Sequence, residues 1–172
     1  MRTLVLGMGN PILCDDAVGI RLARDVRAQF EEASGGHAIP GVDFIEDCSV
    51  GGLNILDLVT GYERLIVFDS IRTPGATPGD WHAMTGATFR ETMNLGCVHD
   101  ANFTTALELG RQMGATVPRP EDVHIFAVEI ADNATFSERM TLELETAYND
   151  FSPKIVREAL ALLRASANRD SE

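Results

Sequence analysis

The sequence predicts an α/β protein: a mostly parallel sheet of about five strands with helices on both faces, in a single domain spanning residues 1–172. Two observations predict it. Short apolar runs alternate along the chain with segments whose apolar residues recur at helical spacing, the pattern of parallel strands joined by crossover helices. The apolar runs are also nearly unbroken, as strands covered on both faces must be. A chain of 172 residues is long enough to bury such a core.

The elements follow in order. Residues 2–8, RTLVLGM, are a buried strand ending at a glycine turn. Val18, Leu22, Val26 and Phe30 recur every four residues and mark an amphipathic helix starting near Asp16. After a Gly-rich loop at 33–41, VDFIED (42–47) is the second strand, and 49–61 holds a short helix that ends at Gly61. ERLIVFDS (63–70) is the third strand, TPGATPGD (73–80) a turn-laden loop, and WHAMTG (81–86) a weak edge strand. Phe103, Ala106, Leu107, Gly110 and Met113 give a helix beginning near His99, and VHIFAVEI (123–130) is the fifth strand. Residues 137–150 read as helical or as partly irregular. In 152–165, Ser152 stands at a cap position and Pro153 at the first helical position of a final helix, with a frayed tail over 166–172.

Composition excludes several classes. The net charge of -12 would repel phosphate, and there is no basic run, so no nucleic-acid binding is expected. No segment approaches a membrane span, and the opening run TLVLGM is cut short by Asn10 and Pro11, unlike a signal peptide. Three cysteines, Cys14, Cys48 and Cys97, with no CxxC spacing, fit no disulfide framework and point to a reducing, cytoplasmic setting.

In a parallel sheet the functional groups gather beyond the carboxyl ends of the strands. Here those positions hold Asn10, Asp47, Asp69 and Glu129. The stretch GMGNPILCDDAVG (7–19) begins like a dinucleotide fingerprint, but Ile12 replaces its third glycine, Pro11 removes an amide, and Asp15 and Asp16 would repel a pyrophosphate. The paired aspartates either cap the helix or hold a cation, because two neighbours cannot both bond the same amides. Asp69, ending the apolar run LIVFD, either caps a turn or shares a cation with Asp16. His99, at a helix start, is held neutral by the helix dipole and so free to ligate, or is simply structural. His37 is in a loop, and His82 and His124 sit in or at the start of strands, away from the acidic end. Cys14 sits beside two acids that raise its thiol pKa and reads as an apolar filler rather than a nucleophile. No G-x-S-x-G or H-E-x-x-H pattern is present.

Taken together these residues resemble the hydrogenase maturation endopeptidases, which trim the C-terminal extension of [NiFe]-hydrogenase large subunits. That family's opening pattern, G-x-G-N-x-L-x-x-D-[DE]-x-x-G, stands here as GMGNPILCDDAVG, its third-strand aspartate as LIVFDS, and its histidine motif as CVHDAN; the likeness covers about residues 1–130. Cys14, Ala17, Cys97 and Asn102 depart from the usual residues without removing a ligand. The resemblance implies a three-layer α/β/α sandwich. It implies a peptidase that cleaves one bond after nickel insertion, with Asp16, Asp69 and His99 contacting the metal and Asp16 and Asp69 as catalytic candidates. Gly9 and Asn10 would support the turn, the Asn10 side chain tying it to Asp16. The metal implied is Ni(II) carried by the substrate, with other divalent ions able to occupy the site in vitro. The partner implied is a hydrogenase large-subunit precursor, and a monomer is the default. The alternative is a metal-binding maturation chaperone that docks on the precursor without cutting it.

Overall fold

The computed structural model describes residues 1–36, 40–88 and 98–169, with backbone alone at 98–104 and 166–169. His37, Cys97 and residues 170–172 lie outside the described residues.

Five strands, β1 (Thr3–Met8), β2 (Val42–Cys48), β3 (Arg64–Ile71), β4 (Trp81–Thr85) and β5 (Val123–Glu129), form one sheet in the order β2-β1-β3-β5-β4. The pairs β1–β2, β1–β3 and β3–β5 are parallel, and β4 alone runs antiparallel, on the β5 edge. The expected strands are all present. The weak fourth one is an edge strand, as its mixed polarity implied, and turns at Thr73–Ala76 and Thr77–Asp80 fill the loop before it.

The helices are α1 (Val18–Ala33), α2 (Ile55–Val59), α3 (Val98–Gln112) and α4 (Leu142–Arg169). They divide between two cores because strand side chains alternate faces. Val5, Ile66, Phe68, Phe126 and Val128 pack with Val18, Leu22, Val26 and Phe30 of α1 and Leu144, Tyr148, Phe151, Ile155 and Leu163 of α4. On the other face Leu4, Leu6, Leu65, Val67 and Ile125 pack with Ile55 and Val59 of α2 and Ala106 and Leu107 of α3. The result is the expected α/β/α sandwich. Each fully buried Leu, Ile or Phe contributes roughly 1.5–3 kcal/mol of transfer free energy.

Two expectations fail. Residues 142–169 are a single helix with Pro153 inside it, not two segments with Ser152 as a cap, and the helix continues through 166–169 where a frayed tail is expected. The apolar stripe Leu144, Tyr148, Phe151, Ile155, Ala159 and Leu163 is buried on one face straight through the proline. Packing of that stripe outweighs the lost backbone bond and keeps the helix whole.

The strand order also fixes where a site can lie. β1 is followed by α1 on one face and leads to β2 on its left, whereas β3 leads through α3 on the opposite face to β5 on its right. The carboxyl ends of β1 and β3 therefore flank the crevice where the winding reverses, the usual ligand position in such sheets.

Candidate active site

The turn after β1 brings the first acids to this crevice. Gly9 has φ +140°, and a Cβ there would collide with the Asp16 carbonyl oxygen, so only glycine lets the turn close on the segment that follows. Gly19, in the first turn of α1, lies so close to the Met8 and Phe68 carbonyl oxygens that any side chain would drive the helix off the ends of β1 and β3. Between them, Cys14–Ala17 form a short 3-10 turn.

Asp15 and Asp16 point to different tasks. Asp15 is fully buried. Its carboxylate accepts hydrogen bonds from the amides of Ala131 (3.1 Å), Asp132 (3.0 Å) and Thr141 (2.7 Å) and from the Thr141 hydroxyl (3.1 Å). It therefore fastens the loop after β5 to the start of α4. Neither aspartate caps α1, whose N-cap Ala17 makes no side-chain bond. The capping expectation is replaced by this longer-range tie, which sequence spacing could not reveal.

Asp16 is half-buried at the crevice. Its Oδ2 accepts the Asn10 amide at 2.8 Å and its Oδ1 accepts the Ser70 hydroxyl at 2.6 Å. Asn10 thus reaches Asp16 through its backbone, not its side chain as expected. The side-chain oxygen instead accepts the Ile12 amide at 3.2 Å and braces the turn. Asp69, half-buried in β3, accepts the Ser70 amide on its Oδ1 at 2.8 Å. Ser70 accordingly donates to both carboxylates, and it was not singled out in the sequence; its only signal there was adjacency to Asp69.

His99 is the second residue of α3, as its expected helix start required, and its side chain lies outside the described residues. By strand alternation Asp69 belongs to the sheet face that α3 covers, whereas Ser70 belongs to the α1 face. Among the described residues no three His, Cys, Asp or Glu side chains are gathered closely enough to hold a metal ion. The oxygens of Asp16 and Asp69 are donors of the type that a divalent first-row ion accepts.

The remaining strand-end acids behave differently. Asp47 is exposed. Glu129 is buried, accepts the Thr73 amide at 2.9 Å, and lies 3.5 Å from His82 Nε2. His82 therefore sits at the acidic end, contrary to expectation, because antiparallel β4 starts where β5 ends. His124 lies at the opposite end, where burial foremost, and then the Arg64 charge, hold its imidazole below its ordinary pKa. Burial is also the first cause that pushes the Cys14 and Cys48 thiols up, with Asp15 and Asp132 adding to it at Cys14 and Asp69 and Asp47 at Cys48. Neither of these cysteines offers a ready thiolate.

No family model matches the chain. It is 30% identical over 139 residues to the hydrogenase expression/formation protein HupD of Rhodobacter capsulatus, covering 76% of this chain and 60% of that one. It is 30% identical over 79 residues to the hydrogenase 2 maturation protease of Escherichia coli strain K12, covering 46% and 44%. The matches thus span about half the length of these two relatives. Among solved structures, the hydrogenase maturating endopeptidase HybD of Escherichia coli superposes with a TM-score of 0.71 at 23% identity, over 96% of this chain and 94% of the other. The [NiFe] hydrogenase maturation protease HybD of Thermococcus kodakarensis gives 0.64 at 18% identity, over 94% and 99%. The chain is an α/β protein with the fold of the hydrogenase maturation endopeptidases. In sequence it is related to a hydrogenase maturation protease and to a hydrogenase expression/formation protein.

Proposed function

We propose that this chain is an endopeptidase that removes the C-terminal extension of a [NiFe]-hydrogenase large-subunit precursor once nickel is in place. Asp16, Asp69 and His99 contact the nickel that the substrate carries, and the metal is read as part of the substrate. Two carboxylates and an imidazole suit such an ion and leave positions for ligands that the precursor supplies. In the reaction the oxygen of a water bonds to the scissile carbonyl carbon, the C–N bond breaks, and the leaving amine takes a proton. Asp16 and Asp69 stand as acceptors for the proton that the water gives up.

The observation that supports this reading best is the pairing of Asp16 and Asp69 through Ser70 at the crevice between β1 and β3. Both acids are bound by the same serine, so two carboxylates of the type a divalent ion accepts stand at one crevice. The absence of a low-pKa thiol among the described residues is in keeping with attack by water rather than by a cysteine. No helix among the described residues is long and apolar enough to cross a membrane, and the net charge of -12 favours a cation-bearing partner over nucleic acid. The reaction takes place in the cytoplasm with the chain as a monomer.

The test is an intact-mass measurement. A nickel-loaded precursor incubated with the chain loses a C-terminal peptide, and a nickel-free precursor keeps it. Co-elution with the loaded precursor and no mass change would instead make the chain a chaperone that docks without cutting.

A further inference from the structure

We propose that Ser70 is a positioning residue that sets the Asp16 carboxylate relative to Asp69, an inference that rests on the peptidase reading above and deepens it. One residue makes both contacts. Its amide donates to Asp69 Oδ1 at 2.8 Å, and its hydroxyl donates to Asp16 Oδ1 at 2.6 Å. Successive strand residues face opposite sides of a sheet, so Ser70 spans the sheet's end and holds an acid on each side.

The two bonds have different consequences. The amide bond is local and survives any substitution except proline. The hydroxyl bond crosses from β3 to the turn after β1, 54 residues away in sequence. With the Asn10 amide on Oδ2, it occupies one acceptor direction on each Asp16 oxygen. Each oxygen keeps a second lone pair, and the two bonds fix where those point. Without a hydroxyl at position 70 the Asn10 amide still holds Asp16 Oδ2, but Oδ1 loses its tie to β3, so the carboxylate can pivot about that one bond and the search for a reactive arrangement lengthens.

Ser70→Ala removes the hydroxyl alone and Ser70→Thr restores it. In steady-state cleavage of the nickel-loaded precursor, Ser70→Ala lowers kcat about tenfold or more with KM within about twofold, the size expected for a lost hydrogen bond to a charged group. Ser70→Thr recovers most of the loss. Crystal structures of the wild type and Ser70→Ala give the second measurement: the Asp16 carboxylate leaves its wild-type place in the variant while Asp69 stays. Equal kcat in Ser70→Ala and wild type, or an unmoved Asp16 carboxylate, overturns the proposal. A wild-type chain that leaves the loaded precursor whole sinks the peptidase reading instead, and the crystallographic comparison then still decides whether Ser70 sets Asp16.

Discussion

At the residue scale, two adjacent aspartates of the same chemistry carry opposite burdens. Asp15 is fully buried and satisfied by three amides and a hydroxyl. Asp15→Ala strips those donors of their acceptor inside the protein, so it lowers the unfolding free energy by about 3 kcal/mol, read from urea denaturation. Asp16 is half-buried with two donors. Asp16→Asn keeps its shape, so stability stays within about 1 kcal/mol of wild type, while the proposed function requires that release of the C-terminal peptide be abolished. If the two variants exchanged these phenotypes, the division of labour would be wrong. The sequence shows that one of the pair must be doing something other than capping. It cannot show which, because the partners of Asp15 lie more than 110 positions away. A separation of 54 positions likewise hides the Ser70 hydroxyl bond to Asp16. By contrast Gly9 and Gly19 are legible, since close backbone approach at a strand-to-helix turn leaves its mark as glycine.

At the scale of elements, α4 and β5 each carry a prediction. Pro153 lies inside α4 and cannot donate to the carbonyl four residues back. Pro153→Ala restores that bond where the stripe from Leu144 to Leu163 already holds the helix straight through. The substitution also frees the unfolded chain, which offsets part of the gain. Stability therefore rises by about 1–2 kcal/mol in denaturant unfolding; a fall would mean that the proline shapes a bend that α4 needs. In β5, His124 has its pKa lowered from 6.5 by burial and by Arg64, against a smaller opposing effect of Asp122. The folded protein therefore binds the proton less readily than the unfolded chain. Stability is full above pH 6.5 and falls as the pH drops through that value toward the lower folded pKa. His124→Gln flattens this part of the profile, checked by thermal melts between about pH 7 and 5; an unchanged slope assigns it to other groups.

At the scale of the whole molecule, the sandwich was legible because each strand buried on both faces reads as an apolar run, and the β1, β3 and β5 sequences are of this kind. The antiparallel direction of β4 was not, since an edge strand carries no mark of its orientation, and this is why His82 arrives unexpectedly beside Glu129. Net charge is a property of the same scale. Twenty-six acids face fourteen Lys and Arg, which leaves -12 at neutral pH. The folded surface does hold ion pairs, among them Arg21–Glu145 and Arg27 with Glu31 and Glu46. Exposed pairs are worth about 0–1 kcal/mol each, and salt weakens them. Salt also screens the repulsion among the unmatched acids, which the compact state concentrates and the unfolded chain spreads out. With the acids in such excess, screening of repulsion outweighs the lost pairs. The melting temperature therefore rises by a few degrees between about 10 and 150 mM sodium chloride, where the Debye length shrinks from roughly 30 to 8 Å. A melting temperature that falls over this range would show that the Arg21 and Arg27 pairs hold more of the stability than the surplus acids cost.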